Sequence, residues 1–327
     1  MECNNCTVDE LMFTFRVKGT VNLAMMPEVI QHLKRRNIWV DIKGNDFKLK
    51  ESEVNDFIDF CKDHMNPNDV SFIVPNKEWK PFREIENVLD MQWIDEIIKN
   101  EQLICYYQPI VDAKGDTFAY EILSRFQNKD GMLIYPNEIF SAARERGRLY
   151  ALDRVCRMTA VKYAARLKDK KAFINFIPTS IYSPEFCLKS TTNLANELGV
   201  DPAQLVFEVV ESEQVEDRDH LKRILNYYKE KGFQYALDDV GEGYNTLEML
   251  EDIKPKYMKL DMKYVQGVAS DNSKQEIALK SLEKALQVES VPLAEGIEEK
   301  EDFEWLKAIG YQLFQGYYFG KPAPTPI

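Results

Sequence analysis

From residue 93 onward the chain alternates apolar runs of strand length with stretches of helical periodicity, and few architectures accommodate that pattern. The runs 104–111 (ICYYQPIV), 117–124 (TFAYEILS), 171–177 (KAFINFI), 205–211 (LVFEVVE), 233–239 (FQYALDD), 257–261 (YMKLD), 291–296 (VPLAEG) and 311–316 (YQLFQG) read as strands. Stretches such as DRDHLKRILNYYKEKG and SKQEIALKSLEKALQ lie between them with apolar residues at helical spacing, several closing on a glycine C-cap. Eight strands with helical crossovers predict a (β/α)8 TIM barrel. The first two strands are joined only by DAKGD. A parallel crossover needs about a dozen residues or more, so this pair must be an antiparallel hairpin. The expected fold is α/β, a modified (β/α)8 barrel over 93–327 with its first strand antiparallel.

Residues 1–88 predict a separate small α+β domain. LMFTFRVKG reads as a strand, MPEVIQHLKRRN as a helix, IWVDIKG with DFKLK as a hairpin around Gly44-Asn45, ESEVNDFIDFCKDH as a helix and VSFIVP as a strand. Nothing in it carries paired carboxylates or a glycine-rich phosphate loop, so a sensor, docking or dimerisation role is expected. Pro81 and polar residues mark 76–92 as a linker.

The net charge of −12 argues against a general binder of nucleic acid or anionic membrane, which needs a basic face. No window reaches the ~18 apolar residues of a membrane span, and the N-terminus lacks the form of a signal peptide, so a cytoplasmic protein is the expectation. Cys61, Cys105, Cys156 and Cys187 stand singly among apolar residues and read as reduced core residues; Cys3 and Cys6 form one CxxC with nothing to complete a zinc tetrahedron. His32, His64 and His220 lie in polar helical stretches, which disfavours a His-based triad or a His-ligated metal. Any catalytic metal would have oxygen ligands.

The strand ends carry the chemistry. Active sites of such barrels lie at the C-terminal ends of the strands. Those ends hold Glu121, Asn175, Glu208 with Glu211, Asp238 with Asp239, Lys259, Glu295 with Glu298, and Gln315. Seven of these ten residues are carboxylates, and so many acids at one mouth call for cations. Oxygen ligands point to Mg²⁺ or Mn²⁺, with Ca²⁺ less suited to catalysis. The adjacent Asp238 and Asp239 suit a two-metal centre, the usual device for displacement at a phosphodiester. Lys259 beside the acids can steady a hydroxide, and Arg125 is a candidate phosphate clamp.

With these residues in view, 97–323 resembles the EAL-domain family, the cyclic di-GMP phosphodiesterases of bacteria. The family's YQPIVD stands at Tyr107–Asp112, and its Glu-Ala-Leu stands as Glu121-Ile122-Leu123, followed by Arg125. FINFIPTSI, FEVVES, DDVGEGYN, MKLD, AEGIE and QGYYFGKP follow in the family's order. The resemblance implies metal ligation by Glu121, Asn175, Glu208, Asp238 and Asp239, with two Mg²⁺ or Mn²⁺ ions and Ca²⁺ non-productive. It implies that Lys259 positions the attacking water, that Glu295 serves the second metal or acts as base, and that Gln315 supports the water network. Gln108, Leu123, Arg125 and Asp153 are implied contacts to guanine or phosphate. Glu211 would anchor the loop 240–246 that couples metal binding to a homodimer formed through the barrel. The implied reaction opens cyclic di-GMP to linear pGpG.

Ile122 replaces the family's Ala, and its side chain should point away from the metal face because strand residues alternate. Val240, Glu242 and Asn245 replace Phe, Thr and Ser. The altered loop supports one alternative, a receptor that binds cyclic di-GMP without cleaving it; an enzyme for another phosphodiester, such as pGpG or a different cyclic dinucleotide, is a separate alternative.

Overall fold

A computed structural model describes residues 8–75, 77–127, 131–181, 183–209, 218–241 and 244–327. The chain divides into two compact units, Met1–Gln102 with Asn128–Leu152, and Leu103–Gln127 with Asp153–Ile327.

In the first unit a five-stranded antiparallel sheet follows the alternating pattern of its strands. Met12–Val17 is central, paired with Asp46–Lys50 on one side and Val70–Ile73 on the other. Asp41–Lys43 pairs with Asp46–Lys50 through the expected hairpin. Phe13, Phe15, Phe47, Leu49 and Phe72 fall on one face and are buried with Val29, Leu33, Phe57 and Cys61 from the two helices. The expected linker departs from its reading. Lys80–Pro81 adds a short fifth strand to Val70–Ile73, and Phe82, Ile85 and Val88 join the same core. Pro81 is tolerated because an edge strand leaves one side of its backbone unpaired.

A second buried feature of this unit is ionic. The Arg146 guanidinium, fully buried, is held by Glu51 at 2.6 and 2.8 Å and by Asp95 at 2.9 and 3.0 Å. Arg148 adds two contacts to Asp95. Burial pushes the Asp95 carboxyl up, but the two guanidinium groups outweigh it and hold its pKa below the ordinary value.

The second unit is a closed barrel of eight strands. In chain order they are Leu103–Asp112, Thr117–Gln127, Lys171–Phe176, Leu205–Val209, Gln234–Val240, Tyr257–Leu260, Val291–Ala294 and Leu313–Gln315. The first is antiparallel to both neighbours, Thr117–Gln127 and Leu313–Gln315, and the remaining pairs are parallel. This is the modified barrel that the short DAKGD turn requires. One apolar residue from each strand fills the interior: Ile110, Ala119, Phe173, Val206, Ala236, Tyr257, Leu293 and Leu313. That layer is the floor of the candidate site.

The first two strands are 10 and 11 residues long against 3 to 7 for the others, so their hairpin rises above the mouth as a wall. Cys61, Cys105 and Cys156 are buried free thiols as expected, whereas Cys187 is half-exposed. Among the described residues no helix is long and apolar enough to cross a membrane.

Candidate active site

Strand side chains alternate between faces, so the residue two beyond each floor residue shares its face. Stepping two residues toward the mouth from Ala119, Phe173, Val206, Ala236, Tyr257, Leu293 and Leu313 reaches Glu121, Asn175, Glu208, Asp238, Lys259, Glu295 and Gln315. On the antiparallel first strand the step runs backward, from Ile110 to Gln108. Eight polar residues thus form a second layer directly above eight apolar ones. Ile122 is buried on the opposite face, as alternation requires.

Lys259 organises this layer. Its Nζ lies 2.8 Å from Glu208 Oε1, 2.9 Å from Asp238 Oδ1 and 3.1 Å from Glu295 Oε2, and the side chain is 1% exposed. Burial alone would lower its pKa, but Asp238, Glu121, Glu208 and Glu295 outweigh burial and drive it well above the ordinary value. Glu121 accepts from Asn175 Nδ2 at 2.9 Å through Oε1, and from Gln315 Nε2 at 2.6 Å through Oε2. Its burial is offset by Lys259 and these two amides, so its pKa falls. Glu208 goes the other way: burial, with Glu121 and Asp238 adding like charge, raises it well above the ordinary range despite Lys259. Glu295 rises to about 8, with burial first among the causes and Asp238 and Glu121 adding to it. One ammonium thus pairs with three of these acids, while burial holds Glu208 and Glu295 above the ordinary carboxylate range.

Asp238 and Asp239 should face opposite sides of a regular strand. They do not, because Asp239 takes a left-handed backbone with φ 55° and the register to Tyr257–Leu260 shifts between Leu237 and Val240. This bulge turns both carboxylates toward the mouth, where ligand atoms of Asp238, Asp239 and Glu295 lie within 4.8 Å of one another. Non-glycine residues adopt positive φ at a cost, Asp among the least unwilling, and such strain concentrates at functional sites. Burial, Asp238 and Asp261 raise Asp239 to about 6.

These residues fit a hard divalent cation. Glu208 is fully buried; its Oε1 faces the Lys259 ammonium at 2.8 Å, and its Oε2 finds no hydrogen-bond donor among the described residues. Gln315 Oε1 is buried and has no partner among the described residues. Unsatisfied buried oxygens around an all-oxygen cluster are what Mg²⁺ or Mn²⁺ would satisfy.

On the hairpin wall, Leu123 and Arg125 continue the face of Glu121, and Tyr106 continues that of Gln108. The Arg125 guanidinium sits 5.5 Å from the centre of the Tyr106 ring, with Nη1 donating to Ser124 O at 2.9 Å. Tyr106 escaped the sequence reading; its alternation with Gln108 was the available signal. Asp153 is buried against Ile177 and Arg157, and burial raises its pKa despite that arginine. Glu298 is exposed and bonded to Gln266, apart from the acidic cluster. Glu211, Glu242, Cys3 and Cys6 lie outside the described residues.

The model of the EAL domain family matches residues 91–322. The chain belongs to the EAL domain family. The EAL barrel is 31% identical over 231 residues to the probable cyclic di-GMP phosphodiesterase PdeG of Escherichia coli K12, covering 69% of this chain and 45% of that protein. The chain thus spans less than half the length of that relative. A c-di-GMP-bound crystal structure of a standalone versatile EAL protein from Vibrio cholerae O395 is 36% identical, with a TM-score of 0.60 over 68% of this chain and 92% of that one. A calcium/cy-diGMP complex of BlrP1 from Klebsiella pneumoniae is similar in fold over 96% of both chains, at 19% identity and a TM-score of 0.61.

Proposed function

We propose that this chain is a metal-dependent phosphodiesterase that opens cyclic di-GMP to linear pGpG. The observation that carries the reading is the polar layer with its cluster of Asp238, Asp239 and Glu295, set on a closed apolar floor. Relatives named as cyclic di-GMP phosphodiesterases support the substrate.

Two Mg²⁺ or Mn²⁺ ions, held by Glu121, Asn175, Glu208, Asp238 and Asp239 with Glu295 alongside, would polarise the phosphoryl group and acidify the attacking water. Asn175 and Gln315 fix the Glu121 carboxylate through one hydrogen bond to each oxygen. Lys259 keeps Asp238, Glu208 and Glu295 converged and orients the water by donating to it. Glu295, beside Lys259 and within reach of Asp238 and Asp239, is the candidate to take the water proton. The water oxygen bonds to phosphorus, the P–O3′ bond breaks, and the 3′ oxygen takes a proton from solvent to leave as a hydroxyl, while Glu295 gives its proton back to solvent. Arg125, held beside Tyr106, clamps a phosphate, while Gln108 and Leu123 line the guanine side. Ca²⁺ is expected to bind without supporting turnover, and the active species is a homodimer through the barrel.

Glu121→Ala and Asp238→Asn test this directly. Each should reduce the Mn²⁺-dependent rate of pGpG formation by about a hundredfold or more, as loss of a group acting on the transition state does. Hydrolysis surviving in both variants would sink the reading. Tight cyclic di-GMP binding without turnover in the parent chain would favour a receptor, the reading that Glu242 supports.

A further inference from the structure

The resemblance sets Asp153 against the ligand, yet the carboxylate is turned inward. It is 3% exposed; Oδ1 accepts from the Ile177 backbone amide at 2.9 Å, and Oδ2 faces Arg157 Nη2 at 3.4 Å. Arg157 is 2% exposed and donates through Nη1 to the hydroxyl of Thr191, itself fully buried on the Lys189–Glu197 helix. The Ser180 hydroxyl donates to Ile177 O at 2.7 Å, so both sides of that residue's backbone are held. Ile177 lies just beyond the Lys171–Phe176 strand, two residues past Asn175, whose amide donates to Glu121 at 2.9 Å.

A buried ion pair is a poor stabiliser compared with apolar residues of the same volume, because both charges lose their hydration. It does supply a directed acceptor for an N–H that the strand ladder no longer reaches. Groups that orient metal ligands from behind characteristically work through such contacts, and losing one costs about 10- to 100-fold in metal affinity or activity.

We infer that Asp153, Arg157 and Thr191 form a positioning unit that fixes the end of the Lys171–Phe176 strand, and through it the Asn175 amide at the metal site. Asp153 acts through the backbone and does not touch the ligand. The inference rests on the metal-dependent reading above.

The test is Mn²⁺ titration of the full chain by electron paramagnetic resonance, paired with the dissociation constant for cyclic di-GMP measured in Ca²⁺. Asp153→Ala, which removes the acceptor, should weaken Mn²⁺ binding about tenfold, in the same direction as Asn175→Ala. Thr191→Val, which removes one hydroxyl and leaves the ion pair, should weaken it by a smaller factor and guards against a misfolded Asp153 variant. Mn²⁺ affinity within twofold of the parent in both, with cyclic di-GMP affinity lost in Asp153→Ala, would overturn the inference in favour of direct ligand contact. A parent chain that takes up no Mn²⁺ would overturn the metal reading and the inference together.

Discussion

At the scale of single residues, burial holds Glu295 and Asp239 above the ordinary carboxylate range. In the folded, metal-free protein Glu295 keeps its proton to about pH 8, whereas the unfolded chain loses it near 4.5. Asp239 behaves alike, between 3.8 and about 6. Across these windows the folded state binds more protons than the unfolded state, so stability falls as pH rises. Thermal melts in chelator should therefore drop between pH 5 and pH 8. Excess Mn²⁺ should reverse the trend, because the cation displaces those protons and binds more tightly as pH rises. A metal-free melting temperature that climbs over this range would contradict the assignment. Asp239 carries a second prediction through its backbone. Asp239→Val should destabilise the metal-free fold by about 1–3 kcal/mol, since a β-branched side chain resists φ 55°. Asp239→Gly should hold or raise stability while losing Mn²⁺ affinity, and denaturant midpoints beside a metal titration separate the two effects. Neither the left-handed turn nor the inward set of Asp153 was legible in the sequence. The first depends on a register slip against Tyr257–Leu260, and the second on an amide 24 residues away.

At the scale of elements much of the site was legible. The two-residue step from Phe173 to Asn175, Val206 to Glu208, or Tyr257 to Lys259 is ordinary strand alternation, and it aligns the polar layer once the strands are known. The strand at Lys80–Pro81 was not legible, because two residues with a proline carry no periodicity and only pairing to Ser71 and Phe72 defines them. Closely approaching backbones at the mouth were signalled by glycine. A Cβ on Gly316 would stand 2.0 Å from Ile297 O and 2.2 Å from Ile297 N, both backbone atoms that cannot step aside. Gly316→Ala should therefore displace Gln315, withdraw its hydrogen bond from Glu121, and destabilise the barrel by about 1–3 kcal/mol as overpacking does. An unchanged urea midpoint would show that the loop 296–298 yields, against this account.

At the scale of the whole molecule, the unit that carries the N-terminal sheet also contains Asn128–Leu152, a stretch flanked in sequence by Arg125 on one side and Asp153 on the other. Its anchor is Arg146, bound to Glu51 and Asp95. Arg146→Met would leave Glu51 buried without its guanidinium and Asp95 with that of Arg148 alone. Breaking a buried pair this way costs about 3–5 kcal/mol, so the unit should melt first in denaturant, and a midpoint equal to the parent's would contradict it. For function, the deciding measurement is chromatography of cyclic di-GMP incubated with the purified chain in Mn²⁺, Mg²⁺, Ca²⁺ or chelator. Linear pGpG is expected in Mn²⁺ and Mg²⁺ only, lost on Glu121→Ala. Intact cyclic di-GMP in all four conditions, or product that persists in chelator, would contradict it.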